Sequence, residues 1–390
     1  MHIEPPSGTS GKPSFELAPS PAETSRFGFR VFRAKCPSGV SAREIQRSIV
    51  ESAADLTILR IQAGDSAQVA PVARCGFPYV VADTLVRYES TLVDRDPAPL
   101  RNRDISFKTA TLADSPELVR LVRSTFETYR NHYDASPYLK RSDFLDGYQE
   151  WALGFADGMN SCKRAWLVQR GGQNIAFCTC EASGSRAEGI LFGVDPRSAG
   201  GGIYGDMIRF TQSYYKSIGC NTMSVSTQIE NMTVQHVWVR EGFRLVGAET
   251  TIHINSFLSH SVLPASIEDL IVTDADSADF GAASGDHNPI HFVDEAARRC
   301  GFHKRIAHGV YVLAKISKQF GTAVPGDGTI IRNLQAHFLA PVYVGERYSL
   351  RYSFPLIDRT RGLFKAVVQL CGPDGQLCAY CTADLSKVPA

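Results

Sequence analysis

An aspartate and a histidine stand five positions apart in the segment GDHNPIH, at Asp286 and His291. Gly285, Asn288 and Pro289 favour a turn, because they supply backbone freedom, a side-chain hydrogen bond and a fixed φ. A turn alone does not explain an acid and an imidazole on either side of a proline. A carboxylate and an imidazole on one face of a turn can share a water and move its proton. The segment therefore predicts an acid–base site, whereas Asp286 taken alone would be a turn cap.

A second feature follows downstream in AHGVYVLAKISKQF, where Gly309 begins an apolar helical pattern. The free amide of Gly309, with the helix dipole behind it, can stabilise an oxygen that gains negative charge during a reaction. His303 and His308 are predicted to be loop or capping histidines. His287 is predicted to lie at the surface.

These residues resemble the hydratase signature of the MaoC-like (R)-specific enoyl-CoA hydratases, whose fixed positions Asp286, Asn288, Pro289 and His291 match. The resemblance implies a hotdog fold, in which a curved antiparallel sheet surrounds one helix. It also implies hydration of an enoyl thioester. Asp286 would be the general base, His291 its partner in holding the water, and Gly309 a donor to the enolate oxygen.

A glycine-rich loop, RSAGGGIYGDM, stands between a strand-like and a helix-like segment. Unpaired amides at a helix start bind phosphate oxygens, and glycine lets the backbone approach them closely. Gly200, Gly201 and Gly202 are therefore predicted to bind a pyrophosphate. A plain tight loop is the alternative, since a glycine-rich turn is a weak signal by itself.

The loop also resembles the R-x-x-G-x-G pattern of the GCN5-related N-acetyltransferases, at Arg197, Gly200 and Gly202. Asn231, followed by a Gly-Phe pair at 242–243, resembles the helix of that superfamily near the pantetheine arm. The resemblance implies that Arg197, the three glycines and Asn231 bind an acyl-CoA. The N-terminal extension is similar to the TDP-fucosamine acetyltransferase branch, which acylates an amino group on a nucleotide sugar.

One position departs from that superfamily. Trp238 stands where many members carry a tyrosine that protonates the leaving thiolate, and an indole has no proton to give at neutral pH. Water, Tyr204 or His236 would have to take the role. Alternatively, the module is inactive.

The length of 390 residues favours two domains. A Pro- and Ser-rich start at 1–25 predicts a disordered tail. Alternating strands and helices over 26–255, including a three-strand antiparallel meander, predict the acyltransferase module. A linker is predicted at 256–265. At 266–390, a loop-rich stretch, one apolar helix and several strands predict the hotdog, so the fold class is α+β with two different sheets.

Composition excludes several classes of protein. Charged residues are 21% of the chain and nearly cancel at a formal +1, so no bulk electrostatic field is expected to attract nucleic acid or an anionic membrane. The ten cysteines are scattered without paired C-x-x-C arrays, so no metal site is expected. No apolar run is long enough for a membrane span and no signal peptide is expected, which predicts a cytoplasmic protein.

Both modules point to acyl-CoA thioesters. The main hypothesis is a bifunctional enzyme that hydrates a short enoyl-CoA and transfers an acyl group to an amine. The resemblance implies that this amine belongs to a nucleotide-linked amino sugar. The alternative is a dehydratase or thioesterase acting on carrier-protein thioesters, with a degenerate CoA-binding module. A single hotdog leaves a strand edge open, which predicts a homodimer through the C-terminal half.

Overall fold

The computed structural model describes residues 15–93, 96–259 and 264–387. In these residues the backbone forms one sheet of ten strands and one of five, with helices around both, so the predicted α+β class is confirmed. Across the same three ranges, no helix combines the length and apolarity needed to cross a membrane.

The larger sheet is built from the first ten strands. They are β1 (Ala18–Pro19), β2 (Val31–Lys35), β3 (Leu56–Gln62), β4 (Tyr79–Thr91), β5 (Ile105–Thr109), β6 (Lys163–Arg170), β7 (Gln173–Ser183), β8 (Arg186–Val194), β9 (Thr222–Gln228) and β10 (Arg244–Asn255). Their order across the sheet is β1-β2-β3-β10-β4-β9-β8-β7-β6-β5. The β2–β3 and β8–β9 pairs are parallel and the other pairs antiparallel.

Seven α-helices within the described residues accompany this sheet. They are α1 (Pro21–Phe27), α2 (Ala42–Glu51), α3 (Val69–Ala73), α4 (Ser115–Phe126), α5 (Arg141–Leu153), α6 (Ile203–Ser217) and α7 (Met232–Arg240). Local sequence accounts for α2. Ser41 and Glu44 form a reciprocal capping box that satisfies two backbone donors, and Ile45 and Ile49 share one fully buried face.

The smaller sheet consists of β11 (Pro264–Ile271), β12 (Thr329–Phe338), β13 (Arg347–Asp358), β14 (Leu363–Cys371) and β15 (Leu377–Lys387). All its pairs are antiparallel, in the order β11-β13-β14-β15-β12. The accompanying helices are α8 (Asp274–Ser284), α9 (Asp294–Arg299) and α10 (Gly309–Thr322). Val312, Ile316 and Phe320 of α10 are fully buried in the core of this sheet, as expected for the central helix of a hotdog.

The two units share a buried contact on the outer face of the smaller sheet. Tyr380 of β15 packs its ring edge-on against Phe77, with 4.8 Å between centroids. The amide nitrogen of Gln369 on β14 donates to the carbonyl of Phe257 at 3.2 Å. The inner face of the same strands packs on α10, so β14 and β15 are covered on both sides.

The tail predicted at 1–25 differs from the structure in its second part. Residues 1–14 lie outside the described residues, but β1 pairs with β2 and α1 begins at Pro21. Buried Glu23 forms an ion pair with Arg33 at 2.6 Å and accepts a hydrogen bond from Ser20. The disorder prediction fails here because composition does not reveal an ion pair between residues ten positions apart.

The stretch predicted as loop-rich contains a helix, α8. A capping box between Thr273 and Asp276 fixes the start of this helix. Its small and acidic residues form no apolar stripe, so the sequence pattern does not reveal the helix.

In the predicted linker, Ser256 and Ser259 form hydrogen bonds to residues 54 and 55 of the larger unit. Residues 260–263 of that linker, and 388–390 of the predicted hotdog, lie outside the described part of the chain.

Candidate active sites

The Asp286 turn is built by the residues that the sequence singled out. Gly285 ends α8 in the left-handed region, at φ +76°. The side chain of Asn288 accepts a hydrogen bond from the Ile290 amide at the start of a single helical turn over Pro289–His291. The turn therefore carries Asp286 at its beginning and His291 at its end.

Asp286 and His291 lie together, as the sequence predicted. The Nε2 atom of His291 is 3.9 Å from Oδ2 of Asp286, too far for a direct hydrogen bond but suited to one bridging water. His291 is buried and its Nδ1 lies 2.8 Å from the carbonyl oxygen of Ile306. Because a carbonyl only accepts, Nδ1 carries the proton and Nε2 is the nitrogen that faces the carboxylate.

The structure adds His308 to this site. It occupies the N-cap position of α10, as expected of a loop or capping histidine, but its side chain makes no capping hydrogen bond. Its ring also stacks on that of His291 with 3.9 Å between centroids, and its Nε2 lies 3.1 Å from the backbone oxygen of Asp286. Nothing in the sequence reveals this second contact, since it joins residues 22 positions apart.

Gly309 follows as the first residue of α10, so its amide is one of the donors without a partner inside the helix. The aromatic ring of Phe338 fills the space beside it: a Cβ on Gly309 would lie 2.9 Å from that ring. A larger residue would therefore have to displace Phe338.

Asp286, His291 and His308 also form a group of potential metal ligands, with ligand atoms within 4.8 Å of one another. One nitrogen of each ring is already engaged by a backbone carbonyl.

A second candidate site is a cleft of about 1530 Å³ in the larger unit. Strands β8 and β9 pair only from Arg186 to Gly189 and from Thr222 to Val225, and beyond this point both line the cleft. Such a gap between neighbouring strands exposes backbone groups that a ligand can use.

Some of the residues predicted to bind CoA line this cleft, and others do not. Gly200 and Gly202, with φ +85° and +80°, line it together with Asn231, the N-terminal residue of α7. Gly201 does not line it and instead accepts a hydrogen bond from the side chain of Asn102. Arg197 is also outside the lining.

Arg197 is held by an acid instead. Its guanidinium is largely exposed and lies 2.8 Å from Asp195. Hydrogen bonds from Arg197, and then from Arg120, hold the pKa of the Asp195 carboxyl well below its usual range. Arg197 thus supports the loop in this structure, and it would have to turn to contact a ligand.

Of the two residues expected to replace the missing tyrosine, Tyr204 lines the cleft next to Trp238, whereas His236 is exposed on α7 away from the lining. The structure also places Tyr129 in the lining. Its hydroxyl contacts the side chains of Thr227, at 3.2 Å, and Gln228 at the open end of β9.

Tyr129 also lies close to Asn231, because Asn231 donates to the same Thr227 hydroxyl at 3.1 Å. Tyr129 is not predicted from the sequence, because it is about a hundred positions from Asn231 and belongs to no motif.

Comparison with known proteins gives a direct family match. The MaoC like domain family matches residues 263–354. The 3-hydroxybutyryl-CoA dehydratase of Methylorubrum extorquens is 39% identical over 75 residues, which are 19% of this chain and 48% of that protein. The (R)-specific enoyl-CoA hydratase of Aeromonas caviae is 31% identical over 97 residues, which are 23% of this chain and 72% of that protein.

The chain thus spans about half the length of the first of these relatives. For the larger unit, a GCN5-related N-acetyltransferase from Sphaerobacter thermophilus aligns over 58% of this chain and 73% of that chain, at 13% identity and a TM-score of 0.43.

The packing behind Asp286 can be tested with two glycines. A Cβ on Gly281 of α8 would lie 2.7 Å from the Phe292 ring and 3.2 Å from the Asp286 carbonyl, whereas one on Gly321 of α10 meets nothing within 4 Å. We expect Gly281→Ala to lower the free energy of unfolding by about 1–3 kcal/mol through overpacking. Gly321→Ala should raise it by about 0.5–1 kcal/mol. Equilibrium urea unfolding measures both, and equal effects of the two changes would contradict the packing described here.

Proposed function

The chain belongs to the MaoC-like family through its C-terminal unit, and we propose that this unit adds water across the double bond of an enoyl-CoA to give the (R)-3-hydroxyacyl-CoA. The observation that carries the proposal is the pairing of the Asp286 carboxylate with Nε2 of His291 across 3.9 Å, beside the start of α10. Such a pair can hold one water between a base and an acid.

The reaction follows from the roles of these groups. Asp286 takes a proton from the water as its oxygen attacks the β carbon of the enoyl thioester. The electron pair moves to the thioester oxygen, where the Gly309 amide stabilises the enolate. The Asp286–His291 pair then delivers the proton to the α carbon, so water is added without any other reactant.

Both directions of this reaction are represented among the relatives, one named as a dehydratase and one as a hydratase. The same acid–base pair serves either direction, because each step is reversible at the same atoms. Action on a carrier-protein thioester is the alternative, since the protein in Arabidopsis thaliana that is 29% identical over 108 residues is named as a dehydratase of such substrates.

Removal of either catalytic group tests the proposal. Asp286→Ala and His291→Ala should each lower kcat with crotonyl-CoA by at least about 100-fold, the usual contribution of general acid–base catalysis. The double variant should be little slower than either single one, because the two act on one water. Loss of absorbance of the enoyl thioester follows the reaction.

His287→Ala is the matched control, since His287 lies exposed in the same turn. It should leave the rate within about twofold of wild type, as surface substitutions usually do. Independent, multiplicative losses in the double variant would contradict a shared water.

We propose acyl transfer from a CoA thioester to an amine as a second function, carried by the larger unit. The supporting observation is the cleft. It is lined by the glycines that precede α6, by Asn231 and by the ends of β8 and β9 where the two strands separate. Amides of Gly200 and Gly202 would bind the pyrophosphate. An amine bound in the same cleft would attack the thioester carbon, and the C–S bond would break.

The departing thiolate needs a proton. We assign this role to Tyr129, whose hydroxyl lies at the open end of β9, in place of the tyrosine that Trp238 replaces. Burial raises the pKa of Tyr129, so its hydroxyl stays protonated until it donates. The proton lost by the attacking amine restores it through solvent.

The acceptor proposal, an amino group on a nucleotide-linked sugar, rests on the resemblance of the N-terminal extension. The product of hydration would then be the acyl donor, which makes the chain bifunctional. A degenerate CoA-binding module is the alternative, and free-thiol release with a panel of amino sugars separates the two.

Gly202 offers a test of CoA binding with a close control. Gly202→Val should weaken CoA binding to the larger unit at least about tenfold, because a β-branched residue does not adopt φ +80° and would block the backbone. Gly201→Ala should leave binding unchanged, since its Cβ would meet only Ile203, at 4.0 Å. Calorimetry with CoA on the full chain measures this, and hydration should stay intact in both variants. Equal CoA binding by both variants would contradict the assignment.

We also propose that the chain forms a homodimer through its C-terminal unit. Strand β12 stands at the edge of the smaller sheet, with Ile330 and Phe338 about half exposed. An unpaired edge with apolar side chains favours association with a second copy. Light scattering should give twice the 42.7 kDa of one chain, and a monomer at micromolar concentration would refute this proposal.

A further inference from the structure

His308 is almost completely buried in the middle of the Asp286 site, with 2% of its surface exposed. Three rings surround its imidazole: Phe280 at 5.0 Å, Phe292 at 5.5 Å and His291 at 3.9 Å between centroids. The proposed reaction gives it no proton to carry. It nevertheless contacts both residues that do.

The first contact fixes the backbone of Asp286. Nε2 of His308 lies 3.1 Å from the Asp286 carbonyl oxygen, and because that oxygen only accepts, Nε2 carries the proton. The other hydrogen bonds of Asp286 are local, to Ser284 and Asn288 in the same turn. His308 therefore ties the turn to the start of α10.

The second contact fixes the ring of His291. Its Nδ1 is held by the carbonyl of Ile306, which leaves the tilt of the ring to be set by its neighbours. The face of His308 lies against it with an interplanar angle of 29°.

The other ring nitrogen of His308, Nδ1, takes no part in these contacts. Nδ1 is buried and has no hydrogen-bond partner in the part of the chain that the structure describes. The side chain thus acts through two features only, the Nε2 donor and the ring face.

We propose that His308 is a positioning residue of the hydration site, which holds the Asp286 backbone with Nε2 and the His291 ring with its face. This inference rests on the proposed hydration. It assigns His308 no contact with the water or the thioester, so the residue should affect kcat and leave KM for crotonyl-CoA unchanged.

The two contacts can be separated by substitution. His308→Asn keeps an N–H donor, and asparagine is well tolerated at an N-cap position, but the change removes the ring. His308→Phe keeps a ring but removes the donor. Each should lower kcat about fivefold, and His308→Ala about 30-fold, at a KM within about twofold of wild type. His303→Ala, an exposed histidine in the preceding loop, should have no effect.

A background without His291 distinguishes positioning from a general structural role. In the His291→Ala protein, adding His308→Asn should cause no further loss of kcat, because the stacking partner is already gone. A further fivefold loss would show that the ring acts elsewhere and would overturn the inference.

Thermal unfolding of all variants checks that they are folded. If the alanine variant is unfolded, His308→Asn and His308→Phe still test the inference. If the wild type is active and every folded His308 variant is within about twofold of it, the positioning role of His308 is refuted but the proposed hydration is not. Absence of hydration by the wild type would instead refute the proposed function.

Discussion

Burial of α10 against the five-stranded sheet is the constraint on which the C-terminal site depends. Val312, Ile316 and Phe320 are fully buried one turn apart, and each contributes about 2 kcal/mol by leaving water. Because these contacts fix the axis of the helix, they fix its first residues as well. His308 and Gly309 are thereby held at the Asp286 turn, and neither could be positioned there by a flexible loop.

The same sheet connects the site to the rest of the chain. Its outer face packs against the larger unit through Tyr380 and Phe77, and Gln369 bonds to the carbonyl of Phe257. The strands that support α10 are therefore covered on both faces. In a bifunctional enzyme, a buried contact of this kind would keep both sites on one molecule and raise the local concentration of an intermediate.

Features set by local sequence could be predicted. The turn chemistry around Asn288 placed Asp286 beside His291, and the apolar pattern that begins at Gly309 predicted the central helix. Features set by contacts between distant residues could not.

The stacking of His308 on His291 and the place of Tyr129 at the end of β9 depend on how separate elements pack. The burial of Glu23 against Arg33 likewise converted part of an expected tail into a strand and a helix. In each case the sequence shows the residue but not its partner.

The proposed hydration requires that one water, held by Asp286 and His291, is added to an enoyl thioester. Reaction of crotonyl-CoA in deuterated water, followed by mass spectrometry and chiral analysis of the product, tests this directly. We expect (R)-3-hydroxybutyryl-CoA with one non-exchangeable deuterium at the α carbon. Unchanged crotonyl-CoA, or release of free CoA without a hydroxylated product, would contradict it.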